Sequence, residues 1–176
     1  MSPTPWQKIK ERYAYQGWRS MLVRTFRQPD GQERDYDVVE NGAYVVVAAF
    51  TTDRRAILIR QFRPGPEQIL SSFCEGYIDT NESPEQAAAR ELLEETGYQA
   101  GHIQLLRTLR TAYSTEKRIC LLATDCTPLQ APSGDADEFL EVFTLPLAEF
   151  KEWLQHDESA FYSLDITLLA LQKLGW

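Results

Sequence analysis

The chain has 176 residues and a mass of 20.2 kDa, a length typical of one globular domain with its own hydrophobic core. Hydrophobic residues make up 43% and charged residues 25% of the sequence, which excludes disordered, collagen-like and coiled-coil proteins. The formal net charge of −8 disfavours binding to nucleic acids or anionic membranes, because such binding needs a basic surface.

The first part of the chain predicts β-strands. Residues 20–27 and 33–39 alternate in polarity on either side of a Pro-Asp-Gly turn at 29–31, which predicts a β-hairpin. We assign residues 1–40 to an N-terminal hairpin arm and residues 41–176 to the main domain. Three further strands are predicted at residues 43–50, 56–62 and 69–73. The first of these is almost entirely apolar, so we expect it to be covered on both faces.

A helix with strong end signals follows. Ser83 suits the N-cap, Pro84 the first helical position and Gln86 the third, which together predict a capping box. The helix is expected to run to Thr96 and to end at Gly97. Later segments predict strands at 103–111, 118–124 and 139–143 and helices at 146–155 and 163–174. Strands mixed with helices in one domain predict an α/β sandwich with a mixed sheet.

The cellular compartment is predicted from what the sequence lacks. The longest apolar run, 43–50, is far shorter than the roughly 20 residues that span a bilayer. Residues 1–16 carry early charges and no apolar segment, so we expect no secretory signal. Cys74, Cys120 and Cys126 have no metal-binding spacing and are expected to be reduced thiols that pack as small hydrophobes. We therefore expect a cytoplasmic protein.

The predicted helix carries a cluster of carboxylates. Glu91, Glu94 and Glu95 follow one another at i, i+3 and i+4, so they lie on one side. We expect the opposite side to pack against the sheet through Ala88, Ala89, Leu92 and Leu93. A solvated acidic surface is the simplest interpretation of such a cluster. The alternative is a site for Mg²⁺ or Mn²⁺, because hard cations take carboxylate oxygens together with water and phosphate oxygens. Arg90 can orient the cluster by pairing with Glu94 or with Glu82.

The segment GYIDTNESPEQAAARELLEETGY, residues 76–98, resembles the Nudix box. Gly76 is followed after five residues by Glu82, then after seven residues by RELxEExG and an apolar position. The chain is therefore identified as resembling the Nudix hydrolases. This resemblance implies an α/β/α sandwich that cleaves nucleoside diphosphates linked to another group, with a divalent metal as cofactor.

The resemblance also implies roles for the residues of the box. Glu91 and Glu95 would be side-chain metal ligands, Glu94 a ligand or a contact to metal-bound water, and Glu75 a ligand through its backbone carbonyl. The residues expected to hold the loop–helix–loop together or to fit its tight backbone are Gly76, Glu82, Arg90 and Gly97. Glu94 and Arg90 are also placed in the predicted catalytic set.

Similarity outside the box indicates one branch of the family. The Pro-Asp-Gly turn, ILIRQFRPG at 57–65 and DEFLEVFTLPLAEF at 137–150 resemble the ADP-ribose and nucleoside-diphosphate-sugar pyrophosphatases. This resemblance implies a homodimer built with the N-terminal hairpin and a contact between Arg63 and the substrate diphosphate. On the residues alone, Arg63 is equally compatible with a surface arginine beside a turn.

Two segments depart from that branch. The chain has Phe-Cys-Glu-Gly at 73–76, where the branch usually has Leu-Pro-Ala-Gly. Tyr113 stands where ADP-ribose enzymes carry the proline of a Ser-Pro-Gly segment, and a tyrosine there is more typical of dinucleoside polyphosphate hydrolases. Tyr113 is a predicted substrate contact, together with Arg110 and Tyr44.

The predicted reaction is attack of water on one phosphorus of a diphosphate, which releases a nucleoside monophosphate and a sugar phosphate. A carboxylate must orient or deprotonate that water, and Glu116 is the first candidate and Glu138 the second. Alternatively, Glu116 pairs with Lys117 or Arg118, and the acidic loop around Glu138 is a solvated turn. The rival functions are a dinucleoside polyphosphate or triphosphate hydrolase, an RNA 5′-end pyrophosphohydrolase, which the acidic balance disfavours, and a non-catalytic sensor.

Overall fold

The computed structural model describes residues 3–133, 139–156 and 160–176. Contacts between residues divide the chain into two compact units. The first consists of Met1–Ala43 with Leu109–Lys117, and the second of Tyr44–Thr108 with Arg118–Trp176. Each unit is described by itself below.

The first unit is built on a three-stranded antiparallel sheet of β1 (Gln7–Tyr15), β2 (Ser20–Arg27) and β3 (Glu33–Glu40). Strands β2 and β3 form the predicted hairpin, with Arg27 opposite Glu33. The predicted hairpin is confirmed, and β1, which was not predicted, adds a third strand along β2. Its sequence, QKIKERYAY, is exposed at every position, so no buried face imposes an apolar alternation that a reader of the sequence could detect.

A later segment of the chain completes this unit. The backbone N–H of Val39 donates to the carbonyl of Tyr113 at 2.9 Å, and the N–H of Thr115 donates to the carbonyl of Val39 at 2.9 Å. The strand predicted at 103–111 therefore ends at Leu109, because the following backbone makes hydrogen bonds with β3.

Among the residues that the structure describes, the second unit contains an eight-stranded mixed sheet and three helices. The strands are β4 (Ala43–Thr51), β5 (Arg55–Arg63), β6 (Gln68–Ser72), β7 (Cys74–Tyr77), β8 (Tyr98–Gln99), β9 (His102–Leu109), β10 (Lys117–Pro128) and β11 (Leu140–Pro146). Their order is β11-β5-β4-β10-β8, with β6 paired to β5, β7 to β4 and β9 to β10. The helices are α1 (Pro84–Thr96), α2 (Leu147–Trp153) and α3 (Leu164–Leu174). The short strands β7 and β8 were not predicted.

Two layers of packing cover the sheet of the second unit. Residues 45–50 of β4 are all buried, which confirms that this strand is covered on both faces. On one face, Ala87, Ala88 and Leu92 of α1 pack against a cluster that includes Val45 and Leu121. The other face carries a cluster of aromatic rings formed by Phe50, Phe73, Phe150 and Phe161. The predicted α/β/α arrangement is confirmed.

One prediction about the packed side of α1 was wrong. Ala89 is exposed and Leu93 is only half-buried, whereas Ala87 is completely buried. The reason is the 100° rotation per residue, which places Ala88, Leu92 and Glu95 at the centre of the buried stripe and turns Ala89 toward solvent.

Both ends of α1 have the predicted caps. The Ser83 hydroxyl accepts a hydrogen bond from the Gln86 N–H at 3.2 Å, and the Gln86 side chain accepts one from the Ser83 N–H at 2.8 Å. At the other end, Gly97 has a φ of 76° and its N–H donates to the Leu93 carbonyl at 2.9 Å. These caps fix where the helix begins and ends, and hence the direction of its carboxylates.

Replacing Ser83 by alanine is expected to lower the free energy of unfolding by about 1 kcal/mol, because the Gln86 N–H loses its acceptor. The measurement is urea denaturation of the purified variant. Ser83→Asp is the matched control and should retain most of the stability, since its carboxylate is also a good N-cap. Equal loss in both variants would contradict the capping role.

All three cysteines are buried and free, as predicted. Burial raises the pKa of the Cys126 thiol to about 12 and of the Cys120 thiol to about 11, so both stay protonated and unreactive at neutral pH. In the part of the chain that the structure describes, no helix is long and apolar enough to cross a bilayer.

Candidate active site

Arg90 lies at the centre of the carboxylate cluster on α1. Its guanidinium binds both carboxylate oxygens of Glu82 at 3.0 Å, and it reaches Glu91 at 2.7 Å and Glu94 at 3.1 Å. It also donates to the backbone carbonyl of Tyr77 at 2.9 Å. Both predicted pairings of Arg90, with Glu82 and with Glu94, are confirmed.

These contacts shift the pKa values of both partners so that the charged forms are favoured. The hydrogen bonds from Arg90 hold the pKa of Glu82 below its ordinary value, and Glu82 in turn raises the pKa of Arg90. The bidentate pair with Glu82 joins the loop before the helix to the helix itself. The carboxylates of the cluster are thus arranged around the guanidinium of Arg90. A solvated acidic surface, the simpler interpretation given above, would not need such an arrangement.

Gly76 allows the closest approach of the helix to the sheet. A Cβ atom on this residue of β7 would overlap the carboxylate of Glu91. The absence of a side chain therefore lets the Glu91 carboxylate lie directly against the strand backbone. A side chain at this position would have to displace the Glu91 carboxylate.

Glu95 is the buried member of the cluster, with 4% of its surface exposed. Its carboxylate accepts a hydrogen bond from the backbone N–H of Glu75 at 3.3 Å. Glu91 and Glu95 therefore both lie against the backbone of residues 75 and 76. Burial, and to a lesser extent the negative charge of Glu95 and Glu91, raises the pKa of Cys74 well above its ordinary value.

The donor atoms of this cluster fit a hard divalent cation. They are carboxylate oxygens of Glu91, Glu94 and Glu95 and backbone carbonyl oxygens, the ligand type of Mg²⁺ and Mn²⁺. Among the residues that the structure describes, no three carboxylate, imidazole or thiol side chains already form a closed ligand set. Some carboxylate oxygens are already paired with Arg90 and with a backbone N–H, so the protein supplies only part of a coordination shell. This suits an ion that takes its other ligands from water and phosphate oxygens.

Arg63, at the end of β5, is held by two other side chains. Its Nη2 atom donates to the Glu75 carboxylate at 2.7 Å and to the Tyr162 hydroxyl at 2.5 Å. The Tyr162 hydroxyl donates to the same Glu75 oxygen at 2.5 Å. Arg63 is thus half-buried and paired, and the side chain of Glu75 is neutralised. Tyr162 was not predicted from the sequence, because no motif or spacing marks a tyrosine 99 positions after its partner.

Tyr44 lies directly opposite Tyr77 in the pairing of β4 with β7. The two rings meet edge to face, with centroids 6.3 Å apart. Because neighbouring residues of a strand face opposite sides, this pair lies on the face away from the Gly76–Glu91 contact. Tyr44 was predicted from the sequence as a site residue, whereas Tyr77, which lies inside the Nudix box, was not.

Three predicted site residues belong to the first unit. Glu116 accepts a hydrogen bond from the Asn41 amide at 3.4 Å, and its N–H donates to the Ser114 hydroxyl at 3.1 Å. Within residues 3–133, 139–156 and 160–176 it forms no ion pair, so the alternative pairing with Lys117 or Arg118 is not found there. The other two residues, Arg110 and Tyr113, are exposed, Tyr113 by 64%. The remaining candidate base, Glu138, lies outside the described residues.

Arg118 makes a different contact in the second unit. It pairs with Asp165 at 2.5 Å, which joins β10 to the first turn of α3. The charge of Arg118 is therefore neutralised by a carboxylate of α3. Sequence spacing gave no sign of it, since the two residues are 47 positions apart.

Comparison with known proteins places this arrangement in a family. The Nudix domain model matches residues 41–164. An ADP-ribose pyrophosphatase of Bacillus subtilis (strain 168) is 30% identical over 132 residues, which cover 73% of this chain and 71% of that protein. The ADP compounds hydrolase NudE of Escherichia coli (strain K12) is 36% identical over 105 residues, 58% of this chain and 56% of that protein.

A solved structure supports the same assignment. The crystal structure of an ADP compounds hydrolase superposes with a TM-score of 0.81 at 26% identity and covers 99% of this chain and 98% of that one. The family model, the relatives and the fold all point to the same family. The chain therefore belongs to the Nudix family of hydrolases.

Proposed function

We propose that the protein hydrolyses the diphosphate bond of ADP-ribose or a related nucleoside diphosphate sugar with Mg²⁺ or Mn²⁺, releasing a nucleoside monophosphate and a sugar phosphate. One observation carries this proposal. A capped helix presents Glu91 and Glu95 to the backbone of residues 75 and 76, with Arg90 holding the cluster in place. The similarity to an ADP-ribose pyrophosphatase supports the substrate class.

Four groups would hold the metal: the side chains of Glu91, Glu94 and Glu95 and the backbone carbonyl of Glu75. When bound, the ion neutralises diphosphate charge and lowers the pKa of a coordinated water. Arg90 fixes the carboxylates of Glu91 and Glu94 in advance, which lowers the cost of ordering them when substrate binds. Gly97 ends the helix and so acts on the ligands through the backbone. Glu82 anchors Arg90 and so acts on the ligands through Arg90.

The remaining groups act on substrate and water. Arg63 would place positive charge beside the diphosphate, and Arg110 and Tyr113 are proposed substrate contacts. Tyr44, on the sheet face away from the Gly76–Glu91 contact, would stack on the base or ribose rather than act near the metal ligands. Water attacks one phosphorus, the bridging P–O bond breaks, and the departing phosphate keeps the bridging oxygen. The water proton goes to a carboxylate, for which we propose Glu116, which accepts one side-chain hydrogen bond, from Asn41, among the described residues and is able to accept more. Glu138 is the second candidate.

A second candidate function is hydrolysis of dinucleoside polyphosphates or nucleoside triphosphates. The exposed ring of Tyr113 favours it, since a free aromatic face can stack on a second base. Steady-state kinetics with Mg²⁺ separate the two. ADP-ribose, several nucleotide sugars, a dinucleoside polyphosphate and triphosphates are compared by phosphatase-coupled phosphate release. A higher kcat/KM for ADP-ribose or one nucleotide sugar supports the first function, and a higher value for a polyphosphate supports the second.

We also propose that the protein is a homodimer joined through the sheet of the first unit. Every residue of β1 is exposed, including the large side chains of Ile9, Tyr13 and Tyr15, and the neighbouring Trp6 is exposed as well. An edge strand with such apolar side chains is typical of an interface, because unpaired backbone and exposed rings favour association. Light scattering after gel filtration should give twice the 20.2 kDa chain mass. A mass of one chain at micromolar concentration would contradict the proposal.

A further inference from the structure

A closed ring of three hydrogen bonds joins Arg63, Glu75 and Tyr162. Nη2 of Arg63 donates both to the carboxylate and to the phenol oxygen, and the phenol donates to the same carboxylate oxygen. The distances are 2.7, 2.5 and 2.5 Å. The three residues come from β5, β7 and the segment before α3, so three separate parts of the second unit meet at one guanidinium nitrogen.

Contacts with the ring of Tyr162 restrict the guanidinium further. The guanidinium carbon of Arg63 lies 5.4 Å from the ring centroid, within the range of a cation–π contact. Tyr162 is itself placed by its neighbours, because its N–H donates to the Ser71 carbonyl at 3.2 Å and the adjacent Phe161 is buried in the aromatic cluster. The tyrosine is therefore a rigid support for a long and otherwise flexible side chain.

The ring of hydrogen bonds uses only one of the guanidinium nitrogens. Nε of Arg63 is buried and has no hydrogen-bond partner among the described residues. No other hydrogen bond of the guanidinium is found in the part of the chain that the structure describes. Because Nη2 is fixed by two acceptors, the direction of the remaining donors is fixed as well. A guanidinium held in this way can bind a phosphate oxygen without first losing its rotamer freedom.

We propose that Tyr162 and the side chain of Glu75 are positioning residues that hold Arg63 in the orientation in which it binds the substrate diphosphate. This inference rests on the proposed function of Arg63 and adds two residues that act only through it. Tyr162 contributes through its hydroxyl and its ring, and Glu75 through its carboxylate, apart from the role of the Glu75 carbonyl.

A double-mutant cycle tests the inference with ADP-ribose and Mg²⁺. Arg63→Ala is expected to raise KM about 100-fold, since a charged hydrogen bond to phosphate is lost. Tyr162→Phe should raise KM about tenfold with kcat nearly unchanged, because it removes one hydrogen bond to a charged group. In the Arg63→Ala background, Tyr162→Phe should change KM less than about twofold, since coupled residues are not additive. Thermal melting checks that each variant is folded.

Tyr36→Phe is the matched control, because Tyr36 also has a hydrogen-bonded hydroxyl, to Gln28 at 2.8 Å. It should leave KM unchanged. A tenfold effect of Tyr162→Phe in both backgrounds would overturn the inference, because Tyr162 would then act independently of Arg63. An unchanged KM in Arg63→Ala would overturn the role of Arg63 and this inference with it, while turnover itself would still support the hydrolase.

A crystal structure of Tyr162→Phe gives a second readout that does not depend on activity. The Arg63 side chain is expected in a different or a mixed rotamer. An unchanged Arg63 orientation, held by Glu75 alone, would overturn the role of Tyr162.

Discussion

Replacing Glu95 by glutamine is expected to lower kcat for ADP-ribose about 10²- to 10³-fold at saturating Mg²⁺, since metal stabilisation of developing charge contributes several kcal/mol. The amide has nearly the same shape but no negative charge, so it is a weaker ligand for a hard cation. Because the Glu95 carboxylate is buried against the backbone of Glu75, no neighbouring water can easily replace it. The measurement is steady-state kinetics over a range of Mg²⁺ concentrations.

Glu85→Gln is the matched control for this variant. Glu85 lies on the same helix, in its first turn, but is exposed to solvent. It carries the same charge, so a general effect of net charge on substrate binding would appear in both variants. Near wild-type turnover of Glu95→Gln with saturating metal would show that the metal ligands are wrongly assigned.

Replacing Gly97 by alanine is expected to lower the free energy of unfolding by about 3 kcal/mol or more, because strain and a steric clash act together. Its φ of 76° is costly for a residue with a side chain. A Cβ atom would also overlap the carbonyl oxygen of Gln130, a backbone atom that cannot simply rotate away. The Gly97 carbonyl in turn accepts hydrogen bonds from the N–H groups of Leu129 and Gln130, so a shift there would disturb both.

Gly175→Ala separates the two causes. Gly175 ends α3 with a φ of 67°, and no atom lies within 4 Å of the position that a Cβ would occupy. It therefore reports the backbone strain alone, about 1–2 kcal/mol. Urea denaturation measures both variants. An equal loss of stability in Gly97→Ala and Gly175→Ala would contradict the clash with Gln130.

The helix that carries the carboxylates was predictable from the sequence because its signals are local. Ser83, Pro84, Gln86 and Gly97 each act within one turn of α1, so the chain needs no distant contact to define the helix ends. The pairing of Arg90 with Glu94 and Glu82 is equally local. The prediction that failed within the helix, the burial of Ala89, failed because the 100° rotation per residue turns Ala89 away from the buried stripe of Ala88, Leu92 and Glu95.

The features that were missed depend on distant parts of the chain. Strand β1 exists because its backbone pairs with β2, and its nine exposed residues leave no apolar pattern. The contact of Tyr162 with Arg63 and Glu75 forms only when the segment before α3 folds back beside β7. Physical interactions of this kind are set by the tertiary fold, so no spacing in the sequence indicates them.

The central claim is that the carboxylate cluster of α1 supports metal-dependent cleavage of a nucleoside diphosphate sugar. The most direct test incubates the purified protein with ADP-ribose and Mg²⁺ and identifies the products by chromatography, with and without a chelator. We expect equal amounts of AMP and ribose 5-phosphate, loss of both with chelator, and recovery when Mg²⁺ is added back. Cleavage that proceeds equally in the presence of chelator, or no cleavage with either Mg²⁺ or Mn²⁺, would contradict this claim.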